Sequence, residues 1–223
     1  SPRCIFSRAS EESLMTFVSR DDAGEQLGRA LAGKYPDVGK VIGLPRGGVV
    51  VAAEVARMLQ VPLDVIVVRK IGHPQNREFA VGALAERDVM LLSDDAARCT
   101  GSRQQELESV IREEAARLET YRHRFHIRDA GDTACGTAII VDDGLATGAT
   151  TEAAVISARK SGWNRVVVAA PVASDSAIDR LRRVADDVFA LVVDPDFVAV
   201  GAYYDSFPQT SDDEVMLLLS FVE

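Results

Sequence analysis

The chain has 223 residues, 47% of them hydrophobic and 26% charged, so it can bury a sizeable core without disulfide or metal staples. Its formal net charge of −9 disfavours nucleic acid and anionic membranes as partners, while leaving room for a local basic site that takes a small phosphate ligand. Three widely spaced cysteines, Cys4, Cys99 and Cys135, form no CxxC pair, which argues against a disulfide framework or a zinc site and for free thiols in a reducing cytosol.

No apolar run approaches membrane-spanning length, and Ser1 to Cys4 show no apolar secretory region, so a cytoplasmic protein is expected. A helix is predicted over 21–34, opened by Asp21 and Asp22 and carrying an apolar stripe of Leu27, Ala30 and Leu31. Val38 to Leu44 reads as a strand, Pro45 to Gly48 as a turn and Val49 to Leu59 as a helix. Leu63 to Arg69 reads as one fully buried strand. Residues 71–87, with Gly72, Pro74 and Gly82, read as a mobile loop with some extended character, and Val89 to Leu92 as a short strand.

Residues 102–125 form a charged amphipathic helix whose apolar positions include Leu107, Val110, Ile111, Leu118 and Tyr121. Its charges read as a solvated face, with a lid or a dimer contact as the alternative. A polar linker spans 128–136. Alternation then resumes: strand 137–141, helix 147–161 ended by Gly162, strand 165–170, helix 175–184, strand 188–193, an aromatic cluster of Phe197, Tyr203, Tyr204 and Phe207, and a helix at 212–220. Strands alternating with helices imply an α/β fold with a mostly parallel sheet covered on both faces, and ligands on such sheets sit at the carboxyl ends of strands. A single domain over 1–223 is expected, with a helical insertion at about 94–135 and a C-terminal segment from about 195.

The chemistry concentrates in Ala138-Ile139-Ile140-Val141-Asp142-Asp143-Gly144-Leu145-Ala146-Thr147-Gly148-Ala149-Thr150-Thr151. An apolar strand runs into two acids, then a turn of small residues, then a helix that starts with hydroxyl side chains. The free N–H groups and positive dipole end of that helix suit a phosphate, and Gly144, Ala146, Gly148 and Ala149 let the backbone approach it. Two carboxylates would repel that phosphate if they faced it and are better used on vicinal sugar hydroxyls. The implied ligand carries a phosphate at one end and a diol at the other, as ribose 5-phosphate does. The bland alternative is a Thr-capped strand–turn–helix with acids at a strand end. A P-loop is absent, since there is no GxxxxGK[ST], and strands 165–170 and 188–193 lack the Lys a receiver-like phosphoacceptor would need.

The Asp142-to-Thr150 run resembles the phosphoribosyl pyrophosphate (PRPP) signature of type I phosphoribosyltransferases: apolar strand, two acids, Gly, two variable residues, Thr-Gly. The resemblance implies that family's fold, with a small C-terminal hood over the sheet. It implies that Asp142 and Asp143 bind the ribose hydroxyls, and that Ala146, Thr147, Gly148, Ala149 and Thr150 hold the 5′-phosphate. Pro45, Arg46, Gly47 and Gly48 resemble the family's pyrophosphate loop, which often holds a strained peptide bond; Arg69 and Lys70 end the next strand and are placed to neutralise the diphosphate. Residues 72–83 stand where the family has a flexible loop, so Arg77, and more weakly His73, are expected to reach pyrophosphate on closure, giving Arg46, Lys70 and Arg77 as the catalytic set. His123 and His126, beside the charged helix end, read as structural.

Residues 196–205 resemble the C-terminal stretch of purine phosphoribosyltransferases, which implies Phe197 and Tyr203 at the acceptor and Asp205 near a metal, although one residue more than expected separates Phe197 from Gly201. A small satellite core is the equal alternative for Phe197, Tyr203 and Tyr204. The strand at 165–172 lacks the Lys that reads a purine 6-oxo group, which puts a purine acceptor in question. The order Leu-Pro-Arg-Gly-Gly, Val-Arg-Lys-Ile-Gly, the Asp-Asp loop and Val-Gly-Ala-Tyr-Tyr is similar to a bacterial group known only as predicted phosphoribosyltransferases, some fused to a hydrolase-like domain. The implied function is transfer of the phosphoribosyl group from PRPP, with Mg²⁺ held mostly by ligand oxygens, to a small-molecule acceptor such as a nitrogenous base. A PRPP- or nucleotide-sensing module with little catalysis is the alternative, and the resemblance leaves a homodimer open.

Overall fold

The computed structural model describes residues 16–126 and 134–221. Helix α1 (Arg20–Leu31) starts at Ser19, whose Oγ accepts from the Asp22 N–H, and ends three residues short of the predicted Lys34. Strand β1 (Val38–Gly43) leads into α2 (Gly47–Leu59), and β2 (Leu63–Val65) returns beside β1. After the insertion come β6 (Thr137–Val141), α5 (Ala149–Lys160), β7 (Arg165–Ser174), α6 (Asp175–Leu181), β8 (Asp187–Asp194) and α7 (Asp212–Phe221). The main sheet runs β2-β1-β6-β7-β8 with every pairing parallel.

Alternate side chains of the central strands go to opposite faces. Val41, Ile139, Val141, Val167 and Ala169 join the core under α1 and α2. Ile42, Ala138, Ile140, Val166 and Val168 join the one under α5 and α6. The doubly covered parallel sheet expected from the sequence is therefore the fold. Among the described residues no helix is long and apolar enough to cross a membrane.

Two sequence expectations are corrected. The strand predicted over Leu63 to Arg69 is two strands in two sheets. The Ile66 N–H still reaches the Gly43 carbonyl, at 3.4 Å, but the Val67 N–H donates to the Glu86 carboxylate, at 2.7 Å, so a side chain replaces the ladder and the chain leaves the main sheet. The segment expected as a mobile loop is an antiparallel hairpin, β3 (Val68–His73) and β4 (Asn76–Ala85), which pairs onward with β5 (Val89–Leu92). The apolar run at its base explains the order: Val81, Ala83, Leu84 and Ala85 are buried, while Asn76 to Ala80 at the tip are exposed.

This small sheet is sandwiched. One face meets α5 through Ala83, Ala85, Val89 and Ala153. Its other face meets α4 (Ser102–Phe125), which follows the short α3 (Asp94–Ala97), and whose Leu107, Val110 and Leu118 pack with Ile71, Val81 and Leu84. The predicted linker at 128–136 lies mostly outside the described residues. Helix α5 begins at Ala149 rather than Thr147, because Gly148 adopts φ +70° and caps it from outside, and α6 stops at Leu181, short of the predicted Val184.

Candidate active site

One cavity of about 800 Å³ opens at the carboxyl ends of β1 and β6 and is closed on its far side by β3 and α4. It gathers Pro45, Arg46, Gly47, Arg69, Lys70, Arg77, Asp142, Asp143, Ala146, Thr147, Gly148 and Thr150, most of the residues named from the sequence. Ala149 opens α5 behind this wall. Gly48 is buried beneath the acid pair.

The glycine pair has a steric reason. A Cβ at Gly47 would lie 2.1 Å from Asp143 Oδ2, and one at Gly48 would lie 2.8 Å from Asp142 Oδ1 and 2.9 Å from its Cα. The Pro45-to-Gly48 turn and the acid pair can therefore sit back to back only without side chains at 47 and 48. The Pro45–Arg46 peptide bond is cis.

At the start of α5 the Glu152 N–H makes the first intrahelical bond, to Gly148 O at 2.8 Å, and only the Ala149 N–H leans on a side chain, Thr147 Oγ1 at 3.5 Å. Among the described residues no protein acceptor takes the N–H groups of Thr150 and Thr151. With the dipole of a 12-residue helix behind them, they form an anion seat.

The acid pair is held from several sides. Asp142 Oδ1 accepts the Asp143 N–H at 2.9 Å, and Tyr204 donates its hydroxyl to the Asp143 carbonyl at 2.6 Å. Burial pushes the Tyr204 hydroxyl well above its ordinary range, with the Asp143 charge adding to it, so it remains a donor. Arg20 Nε sits 2.7 Å from Asp143 Oδ2, its Nη1 donates to Pro208 O at 2.7 Å, and its guanidinium lies 3.7 Å above the Phe207 ring. Burial first, and the Asp143 carboxylate second, hold the Asp142 carboxyl well above the usual carboxylate range; the Asp143 N–H, Lys70 and Arg20 pull it down. A ligand hydroxyl that donates to Asp142 would relieve part of that penalty.

The cations differ in how they are held. Arg69 grips Glu114 Oε2 with Nε at 2.9 Å and Nη2 at 2.8 Å, while Arg117 takes Glu114 Oε1 at 2.9 Å. Arg77 pairs with Glu113 at 3.0 Å. Arg46, at the surface, stands 3.5 Å from Asp212. Lys70 is exposed and, among the described residues, has no carboxylate partner. The fork that the sequence assigned to diphosphate at Arg69 is thus turned to Glu114, and Lys70 is the readier charge.

Three expected residues lie elsewhere. Phe197 stacks on Tyr203, centroids 5.4 Å apart, in a satellite core with Phe17, Val172 and Val192, and the Tyr203 hydroxyl donates to Asp194. Asp205 is exposed beside this core, its N–H bonded to the Phe17 carbonyl at 2.8 Å. From this tail only Val200 lines the cavity, resting on Gly144. The aromatics bury themselves because their apolar area is worth more against one another than along an open rim. His73 also points away, with Nε2 3.9 Å from Cys99 Sγ, and His126 binds Glu86 at 2.9 Å.

Sequence reasoning missed Arg20, Tyr204, Glu113, Glu114 and Arg117 as parts of the site. One of them carried a signal. Glu114 falls in register with Leu107, Val110 and Leu118 on the apolar stripe of α4, where a charged side chain needs a partner. Arg20 and Tyr204 gave none, since their partners lie 123 and 61 residues away.

The phosphoribosyl transferase domain model matches residues 22–206. The chain belongs to the phosphoribosyl transferase domain family. A Mycobacterium tuberculosis protein bearing the name "Putative phosphoribosyl transferase" is 45% identical over 204 residues, covering 91% of this chain and 46% of that protein. The chain thus spans less than half the length of the curated relatives it matches. The crystal structure of TT1426 from Thermus thermophilus superposes with a TM-score of 0.73 at 44% identity, covering 92% of this chain and 98% of that one. In this phosphoribosyl transferase domain, the family match spans both Gly47-Gly48 and the acid pair and ends just past Tyr204.

Proposed function

We propose that this domain binds PRPP and transfers its phosphoribosyl group to a nitrogenous acceptor, releasing pyrophosphate. The observation that carries this reading is a single cavity holding an anion seat at α5, a carboxylate pair beside it and a cation-rich wall opposite.

In this reading the 5′-phosphate rests on the N–H groups of Thr150 and Thr151 with the Thr147 and Thr150 hydroxyls around it. Asp142 and Asp143 accept from the ribose hydroxyls, and Arg20 and Tyr204 position Asp143. Lys70 and Arg46 face the diphosphate. The acceptor nitrogen forms its bond to ribose C1 as the C1–O bond to diphosphate breaks; pyrophosphate leaves with the electron pair, and the acceptor gives up its proton to the diphosphate or to water. By analogy with glycoside chemistry, charge develops on the ring as on an oxocarbenium ion. The protein's work is to orient both ends of the donor, neutralise the departing group and exclude water from C1.

Among the described residues no group of three or more His, Cys, Asp or Glu side chains could hold a metal alone. In this reading Mg²⁺ would be held mostly by the donor's own oxygens, with the Asp142 and Asp143 carboxylates in the same cavity as the oxygen ligands this chain offers, and bound there it would neutralise the leaving diphosphate. The test is calorimetry with PRPP and Mg²⁺, followed by pyrophosphate release with a panel of bases. Binding that disappears in the Asp142→Asn, Asp143→Asn double variant supports the reading; no binding by the unaltered protein defeats it.

A further inference from the structure

Helix α4 brings to the cavity wall a fourth guanidinium, beside Arg46, Arg69 and Arg77, for which the phosphate loops and the hairpin give no reason. Arg117 is half exposed and lines the cavity together with Arg77 from β4. Between the two lies one carboxylate: Glu113 Oε2 accepts from Arg77 Nη2 at 3.0 Å, and Glu113 Oε1 is 2.7 Å from Arg117 Nη2. Glu113 is itself 41% exposed, so its carboxylate has solvent to turn to when an anion takes its place. Its neighbour Glu114, at 7%, is fixed by the fork of Arg69. This wall carries Arg69, Lys70, Arg77 and Arg117 against Glu113 and Glu114, four positive groups to two negative ones. When Glu113 turns away, Arg77 Nη2 and Arg117 Nη2 face the gap its carboxylate leaves, while Arg117 Nη1 stays on Glu114 Oε1 at 2.9 Å, which holds the guanidinium in place for an incoming oxyanion.

We infer that Arg117 is a substrate-binding residue for phosphoryl oxygens at the diphosphate end of the donor, and that Glu113 holds its place, and that of Arg77, until the anion arrives. The inference rests on the proposed PRPP reading of the cavity. It gives the insertion helix a role beyond covering β3. Diphosphate binding exchanges the Glu113 carboxylate for ligand oxygens on the same two guanidiniums, so Glu113 competes with substrate and weakens its binding in proportion.

The test is titration calorimetry of the full chain with two probes, ribose 5-phosphate alone and Mg²⁺-pyrophosphate alone, on the unaltered protein, Arg117→Gln and Glu113→Gln. Ribose 5-phosphate reaches the α5 seat and not α4. Arg117→Gln is expected to weaken pyrophosphate binding about tenfold and leave ribose 5-phosphate binding unchanged, while Glu113→Gln strengthens pyrophosphate binding several-fold. Equal pyrophosphate affinity in Arg117→Gln and the unaltered protein overturns the inference, as does a loss common to both probes. Glu113→Gln, which keeps both arginines, carries the test independently should Arg117→Gln fold poorly; unchanged or weaker pyrophosphate binding in it counts against the competition. If the unaltered protein binds neither probe, the PRPP reading itself fails, which is a different result from binding without a role for α4.

Discussion

The Arg20–Asp143 contact offers a stability measurement on which the account of the acid pair can fail. Arg20→Met removes the charge, and with it the guanidinium that lies over Phe207, and keeps an unbranched stem of similar length. In the native fold the two side chains are 10% and 16% exposed, so the loss leaves the Asp143 carboxylate in a low-dielectric pocket beside Asp142. Breaking a buried pair from one side costs about 3–5 kcal/mol, and the residual exposure here argues for about 3. The lost bond to the Pro208 carbonyl adds about 1 kcal/mol. At ~2–4 °C per kcal/mol for a domain of this size, Tm should fall by roughly 10 °C at pH 7. In an Asp143→Asn background the stranded charge no longer exists, and the same substitution should cost only about 1 kcal/mol. Urea unfolding of the four proteins of this cycle gives the coupling. Equal costs in the two backgrounds would refute the idea that Arg20 serves to compensate Asp143, and would leave it as a packing residue for Phe207.

Three further outcomes are expected. Because the Asp142 carboxyl is held above its ordinary range, its contribution to stability is present at low pH and lost as pH rises through that raised value; Asp142→Asn should therefore unfold at higher temperature than the unaltered protein at pH 8, match it near pH 3, and fail to bind ribose 5-phosphate. His126 is raised chiefly by its hydrogen bond to Glu86, so its stabilisation is complete below the ordinary histidine value of about 6.5 and fades as pH climbs through the raised one; the Tm gap between the unaltered protein and His126→Gln should be widest near pH 6 and narrow toward pH 9. Gly48→Ala forces a Cβ against the Asp142 backbone and should cost about 1–3 kcal/mol in chemical unfolding while displacing the acid pair enough to weaken ribose 5-phosphate.

The main sheet was readable because its strands are short β-branched runs with turn residues at both ends, and periodicity alone separates them from the helices. The Asp142-to-Thr150 run was readable because its parts are contiguous and each has one physical use. Between Leu63 and Ala85 the structure departs from the sequence pattern for a reason that local pattern does not contain. Val65, Ile66, Val67 and Val68 are equally apolar, and what parts β2 from β3 is a carboxylate from Glu86, 19 residues on. The hairpin reads as a loop in the sequence because Gly72, Pro74 and Gly82 obscure the apolar base that α4 and α5 cover. In the tail, the family resemblance implies an acceptor wall and the aromatic clustering a satellite core as its equal, and burial of Tyr203 beside Phe17 places it in the core.

The double duty of α5 also limits where the protein can move. The helix whose first turn is the proposed anion seat lies with its body against β6, β7 and the base of the hairpin at once, so those parts form one rigid block. Any closure over the cavity must then hinge beyond Ile71 and Gly82, near the two register shifts that flank Gly72, and involve the half of the hairpin that carries Arg77. Amide exchange should consequently divide this hairpin across its width, with slow amides from Val81 to Ala85 and fast ones from Asn76 to Ala80, although both stretches belong to the same strand.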